Sequence, residues 1–316
     1  MNKTKLKVAL LGALLVCGVA VAQTPQEVTA KFAQAAELYN AQKYAEAVPM
    51  LEETIKMGLA AGPDALETVK SAQSSLTMAY FRTGLAAAQA NNFTKAEEDL
   101  AKAYDLAELY GNAQVKTQAT TMLSQVYMAD GGSAFNNKDY EKAIGVFSKG
   151  FAKFPTNSQI GLLLARSYAE SGDMVKAGET YQKIITGTTN ATAAAEAKKE
   201  LATYILISAT EAAKANDLDE VVRITDEVLE FDPTNSAANL MRLQTAIGAK
   251  KYDAAIGFGE AAIEAQTTPA DKSEVYFLLG AAYQNKLNAA KAIEMYNNVT
   301  EGNRVAEAKA QIAALK

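Results

Sequence analysis

Past its first two dozen residues the chain reads as one helical pattern after another. From Asn157 to Ile184, NSQIGLLLARSYAESGDMVKAGETYQKI, apolar residues recur three and four positions apart in two blocks. That spacing lines one face of a helix with 3.6 residues per turn. Ser171-Gly172-Asp173 separates the blocks and predicts a tight turn between two helices. The unit recurs: Ala143 stands 34 residues before Ala177, and Val221 stands 34 before Ala255.

The same positions repeat along the chain. A small residue marks the middle of each first helix, at Ala35, Gly84, Gly131, Ala165, Ala209 and Gly280, with Leu243 breaking the rule in the sixth copy. A large residue follows the turn at Tyr44, Phe93, Tyr140, Met174, Leu218 and Tyr252. Three positions later come Ala47, Ala96, Ala143, Ala177, Val221, Ala255 and Ala292. Four beyond these stand Leu51, Leu100, Phe147, Tyr181 and Tyr296, and Pro155 and Pro233 close two units. Small residues let helix axes approach to roughly 8–10 Å while bulky partners interdigitate beside them.

The residue set and its order resemble the tetratricopeptide repeat, over about residues 28 to 302. That resemblance implies an all-α fold: a right-handed superhelix, or α-solenoid, of about seven helix-turn-helix repeats, with Arg304 to Lys316 as a capping helix. Only two of the six spacings between the anchors 47, 96, 143, 177, 221, 255 and 292 equal the family's usual 34; they run 49, 47, 34, 44, 34 and 37. The extra residues precede the first helix, helix A, of the second, third and fifth copies. Asp64 to Ala90 keeps one unbroken helical period after Pro63, which predicts a helix A about four turns longer than usual. Ala113 to Phe135 and Ala191 to Ala215 read similarly, and an additional short helix in each place is the alternative. Thr186 to Asn190 is the expected joint, dividing the array into repeats over 23–185 and 186–316.

The N-terminus carries a different pattern. Lys3, Lys5 and Lys7 precede an apolar run from Val8 to about Val21, which ends in Ala20-Val21-Ala22. This is the layout of a secretory signal peptide over residues 1–22. The run is shorter than the ~20 residues that span a bilayer. A lipid anchor at Cys17 fits less well, because Val16 stands where a small residue belongs. Cleavage after Ala22 would remove the only cysteine and move the formal charge balance from −5 to −8. That balance argues against nucleic acid as a partner, and against anionic membrane.

Composition removes most chemistry. The chain of 316 residues has no histidine and no tryptophan. Imidazole triads, HExxH zinc sites and CxxC pairs are therefore absent. No phosphate loop, GxSxG or SxxK is present. The acids Asp217, Asp219, Glu220, Asp226, Glu227 and Asp232 lack a calcium-loop pattern and read as a solvated face with Arg223 nearby. Neither cofactor nor metal is implied, and a non-enzymatic protein is expected.

Partner contacts are the remaining candidates. The fifth position of helix A, which in the family often faces the concave side, reads Phe32, Phe81, Met128, Leu162, Leu206, Leu240 and Phe277. Such a stripe serves either as an apolar groove or as packing between repeats, and packing is the commoner use. Near the end of helix A, Tyr39, Asn40, Phe135, Asn136, Gln284 and Asn285 set rings and amides where a peptide could meet them. Phe32 and Ala36 replace the lysine and asparagine with which some repeats of the family clamp a terminal carboxylate. The expected function is an exported scaffold binding a protein or peptide on its concave face. The alternative is a surface or periplasmic module taking up glycan or peptide.

Overall fold

The computed structural model describes residues 23–316, so the leader expected over 1–22, with Cys17, lies outside the described residues. Those residues form sixteen α-helices and one short 3-10 turn, with no strand among them. Helices A and B alternate in seven pairs. They are α1 Pro25–Asn40 and α2 Tyr44–Ala61, α3 Leu66–Gln89 and α4 Phe93–Tyr110, and α5 Ala113–Asn136 and α6 Tyr140–Lys153. Next come α7 Ser158–Glu170 and α8 Met174–Gly187, then α9 Ala191–Lys214 and α10 Leu218–Phe231. In the sixth pair α11 Ser236–Gly248 is followed by a divided helix B, α12 Tyr252–Gly257 and α13 Gly259–Ala265. The seventh is α14 Pro269–Asn285 and α15 Ala289–Asn297, and α16 Val305–Leu315 packs on α15 as the expected cap.

One turn closes every pair. Its middle residue takes a left-handed conformation at Gln42, Asn91, Lys138, Gly172, Asn216, Lys250 and Leu287, with φ between 57° and 89°. Across each turn an N–H donates to the carbonyl five residues back, from Lys43 to Leu38 in the first pair and from Asn288 to Tyr283 in the last. These bonds, 2.8–3.0 Å long, satisfy carbonyls that the end of helix A leaves open. The residue after the left-handed one then caps helix B. Asn92, Asp139, Asp173, Asp217 and Asn288 each accept a bond from the N–H three positions on. The large residues Tyr44, Phe93, Tyr140, Met174, Leu218 and Tyr252 are the first residues of their B helices.

The extra residues of the second, third and fifth pairs lengthen helix A and make no separate α-helix. α3, α5 and α9 have 24 residues each, against 13 in α7 and α11. Eleven extra residues make about three turns, one fewer than the spacing suggested. The divided helix B of the sixth pair was not foreseen. Glycines flank Phe258 on both sides, and two residues of low helix propensity loosen the segment there.

Contacts gather into two compact units, one ending at Ser133 and the other running from Ala134 to Lys316. That division falls inside α5, and at the joint expected over 186–190 α8 continues to Gly187. Within each unit helix A meets the next helix A: α1 touches α3, α7 touches α9, and α11 touches α14. Consecutive B helices share no comparable contact, and neither do α9 and α11, so the A helices form the tighter layer at these three junctions.

The crossing of A and B within a pair depends on size. A Cβ on Gly84 would lie 2.7 Å from Leu100 Cγ, and one on Gly280 would lie 2.5 Å from the Tyr296 ring. A small residue of helix A and a large one of helix B stand 16 apart in sequence in five of the seven pairs, and the fifth pair has Ala209 with Thr225. The sixth pair reverses them: Leu243 occupies the small position and Gly259 the large one. Leu243 is fully buried, and Gly259 admits Leu279, whose Cδ2 would lie 2.9 Å from an added Cβ. The space beside Gly259 is thus filled from the next helix A, by Leu279.

The Tyr296 ring is held on all sides and cannot yield to a methyl group. Gly280→Ala is therefore expected to lower stability by about 1–3 kcal/mol, despite the ~1 kcal/mol that alanine gains from helix propensity. Chemical denaturation checks this, and an unchanged midpoint would contradict the close crossing.

Candidate partner-binding surface

The fifth position of helix A faces inward. Phe81, Leu162, Leu206 and Phe277 are at most 9% exposed, while Phe32, Met128 and Leu240 are half-buried. Phe277 lies under the cap, its ring 5.5 Å from that of Tyr296 and 4.8 Å from the Arg304 guanidinium. The packing role accounts for this stripe, and Phe81 and Phe277 offer no surface to a partner. Phe277 is covered by the cap helix α16, a layer that an isolated helix pattern does not reveal.

The helix-end aromatics clasp the turns. Tyr39 meets Tyr44 edge-on at 5.2 Å, and Phe135 meets Tyr140 in the same way at 5.5 Å. Burial, with Tyr44 beside it, raises the Tyr39 hydroxyl above the ordinary tyrosine pKa. Gln284 ties down the cap: it accepts from the Tyr296 hydroxyl at 2.8 Å and donates to Gln311 at 3.1 Å. Asn40, Asn136 and Asn285 are exposed at the ends of α1, α5 and α14, and Asn285 donates to the Ala281 carbonyl.

One residue further along helix A the side chains reach the surface. This position reads Ala33, Arg82, Ala129, Leu163, Ile207, Met241 and Leu278, and none of the seven is buried. From Ala134 onward it is apolar in four consecutive A helices, and Ile207 is 53% exposed. One step along a helix turns the side chain by about 100°, enough to carry a row from interior to surface. The row was available in the sequence at the same register as the buried stripe.

A groove of about 290 Å³ opens beside Leu163, between α7 and the start of α9. Arg166 spans it. Its guanidinium donates to Glu196 at 2.6 Å and forks onto both carboxylate oxygens of Glu200, and these bonds raise its pKa further. Glu200 also accepts from the Tyr181 hydroxyl at 2.9 Å. Tyr80 donates likewise to Glu52 at 2.7 Å. Such ties occupy the polar groups with one another and hold adjacent helices together.

Charge is distributed unevenly between the layers. α5 carries one lysine and one aspartate in 24 residues, and α11 carries Arg242 alone in 13. α4 has seven charged residues in 18, and α10 has six in 14. The acidic stretch of α10 is used structurally. Asp217 caps the helix, Arg223 bridges Glu220 and Glu227, Asp226 holds Arg242 at 3.0 Å, and Asp219 holds Lys251 at 3.2 Å.

The tyrosine ties give stability a pH dependence. Burial first, and the adjacent carboxylate next, raise Tyr181 well above its ordinary 10.0; Tyr80 and Tyr127 are raised in the same direction. The unfolded chain then releases these protons at lower pH than the folded one. Their contribution is intact below pH 10 and is lost progressively as pH climbs above it. Urea titrations across an alkaline series are expected to show this fall, and Tyr181→Phe should flatten it. An identical alkaline slope in the variant would contradict the assignment.

The family model described as the tetratricopeptide repeat matches residues 134–205. No curated protein sequence matches the chain. Similar solved structures include the MamA protein, at 19% identity over 61% of this chain and 94% of that one, with a TM-score of 0.35. The TPR2AB domain of yeast Sti1, solved as a complex with pHSP90, is 19% identical over 77% of this chain and 99% of that one, with a TM-score of 0.33. The P58(IPK) TPR domain is 14% identical over 92% of this chain and 97% of that one, with a TM-score of 0.30. Repeats of this family are generally non-enzymatic modules of protein–protein interaction. No helix among the described residues is long and apolar enough to cross a membrane. Over residues 134–205 the chain thus matches the tetratricopeptide repeat, and the other helix pairs follow the same helix-turn-helix plan.

Proposed function

We propose that the chain is an exported, non-enzymatic scaffold that takes a protein or peptide along its inner layer of A helices. The observation that carries this reading is the apolar row Leu163, Ile207, Met241 and Leu278, of which Ile207 is exposed and the other three are half-buried. Four apolar side chains, one per repeat, offer evenly placed seats for the apolar positions of a bound segment. Around Met241 the A helix α11 carries Arg242 as its one charge, so a partner meets little unfavourable desolvation there. Asn40, Asn136 and Asn285, at the ends of A helices, are the exposed amides that would add hydrogen bonds. The leader pattern over residues 1–22 supports an address outside the cytoplasm.

Ile207 is half exposed and belongs to no core cluster, so its replacement leaves the fold intact. Ile207→Glu is expected to weaken partner retention about tenfold or more, at an unchanged melting temperature. Affinity capture from an extracytoplasmic extract, comparing parent and variant, measures this. Equal retention of the same proteins by both would remove the inner layer as the binding surface.

A further inference from the structure

The divided helix of the sixth pair leaves a groove on the outer layer. About 350 Å³ stays open between the two halves of this helix, α14 and α15. Its floor is apolar: Ile256, Ile263, Leu279 and Met295. Its rim carries Glu260 and Glu264, one turn apart on α13, both exposed and in no ion pair. The groove between α8 and α10 differs, because Arg223 already neutralises Glu220 and Glu227 at its rim. The rim at α13 is negative and unanswered.

Nearby, Leu287 is 92% exposed at the left-handed position of the last turn, with φ 57°. The other six turns place glutamine, asparagine, lysine or glycine there. An apolar side chain with a Cβ fits neither that backbone nor water well. Lys286 precedes it, and its exposed pair with Asp253 is readily exchanged. A leucine beside a lysine is the complement of an apolar groove beside two glutamates. Leu287 belongs to the turn that follows Tyr283, which itself lines the groove.

We infer that this end of the molecule binds a second copy of the chain, each copy seating its Leu287 in the other's groove with Lys286 against Glu260 and Glu264. A two-fold axis makes both contacts at once, as self-complementary patches require. The contact is small, so the dimer is a weak one. It does not depend on what the inner layer binds.

Sedimentation equilibrium of the purified protein over a wide concentration range is the test. A monomer–dimer equilibrium that salt weakens is expected. Leu287→Asn should weaken it about tenfold or more, while the melting temperature of the monomer holds or rises, because asparagine suits the left-handed turn. The double variant Glu260→Lys, Glu264→Lys, altering two exposed side chains, should weaken it to a similar degree. A protein monomeric at every concentration would overturn the proposal, as would a dimer indifferent to Leu287→Asn. Loss with Leu287→Asn but not with the double variant would overturn the groove as its seat.

Discussion

The three-residue turn between A and B is the constraint on which the rest of the fold depends. Its left-handed middle residue and its backward hydrogen bond set where helix B leaves helix A. In five pairs a small residue seven positions before it and a large one nine after it are thereby brought to the same crossing, while the fifth pair carries Thr225 at the second place and the sixth reverses the order. Everything outside that interval is free to vary. A helices lengthen at their N-terminal ends, away from the turn, and the crossing is unaffected.

The same separation explains what the sequence disclosed. The turn is local and the crossing lies within a fixed count of residues. Seven anchors at spacings from 34 to 49 could therefore be found without knowing how the pairs stack. Helix lengthening was legible as well, because Asp64 to Ala90 keeps one period without interruption. The break at Phe258 was less so: GFG suits a continuous helix poorly but does not forbid one.

Surface and interior were harder to tell apart. Phe277 and Leu278 are both apolar, and only the layer packed over α14 decides that the first is covered. Gln284 looked like a free amide, yet it is bonded to Tyr296 and Gln311, the latter 27 residues away on the cap. Tyr39 and Phe135 showed the right residue type at the right place, but their nearest partners are the tyrosines that open the next helix. Long-range packing assigns these roles, and a helical period carries no information about it. The division at Ser133 has no sequence signal of the linker kind, since it falls inside a helix.

The reversed pair, Leu243 and Gly259, has a consequence for how such a chain finds its own register. Seven near-equivalent helix pairs on one chain can in principle mate wrongly, each A with some other B. An A helix that carries leucine at the crossing has no room for a B helix bearing leucine, phenylalanine or tyrosine at the matching place. A B helix bearing glycine there would leave a void against alanine or glycine. By size alone, then, the sixth pair stands apart from the pairs that set alanine or glycine against leucine, phenylalanine or tyrosine, and a helix exchanged with one of those would fit it poorly.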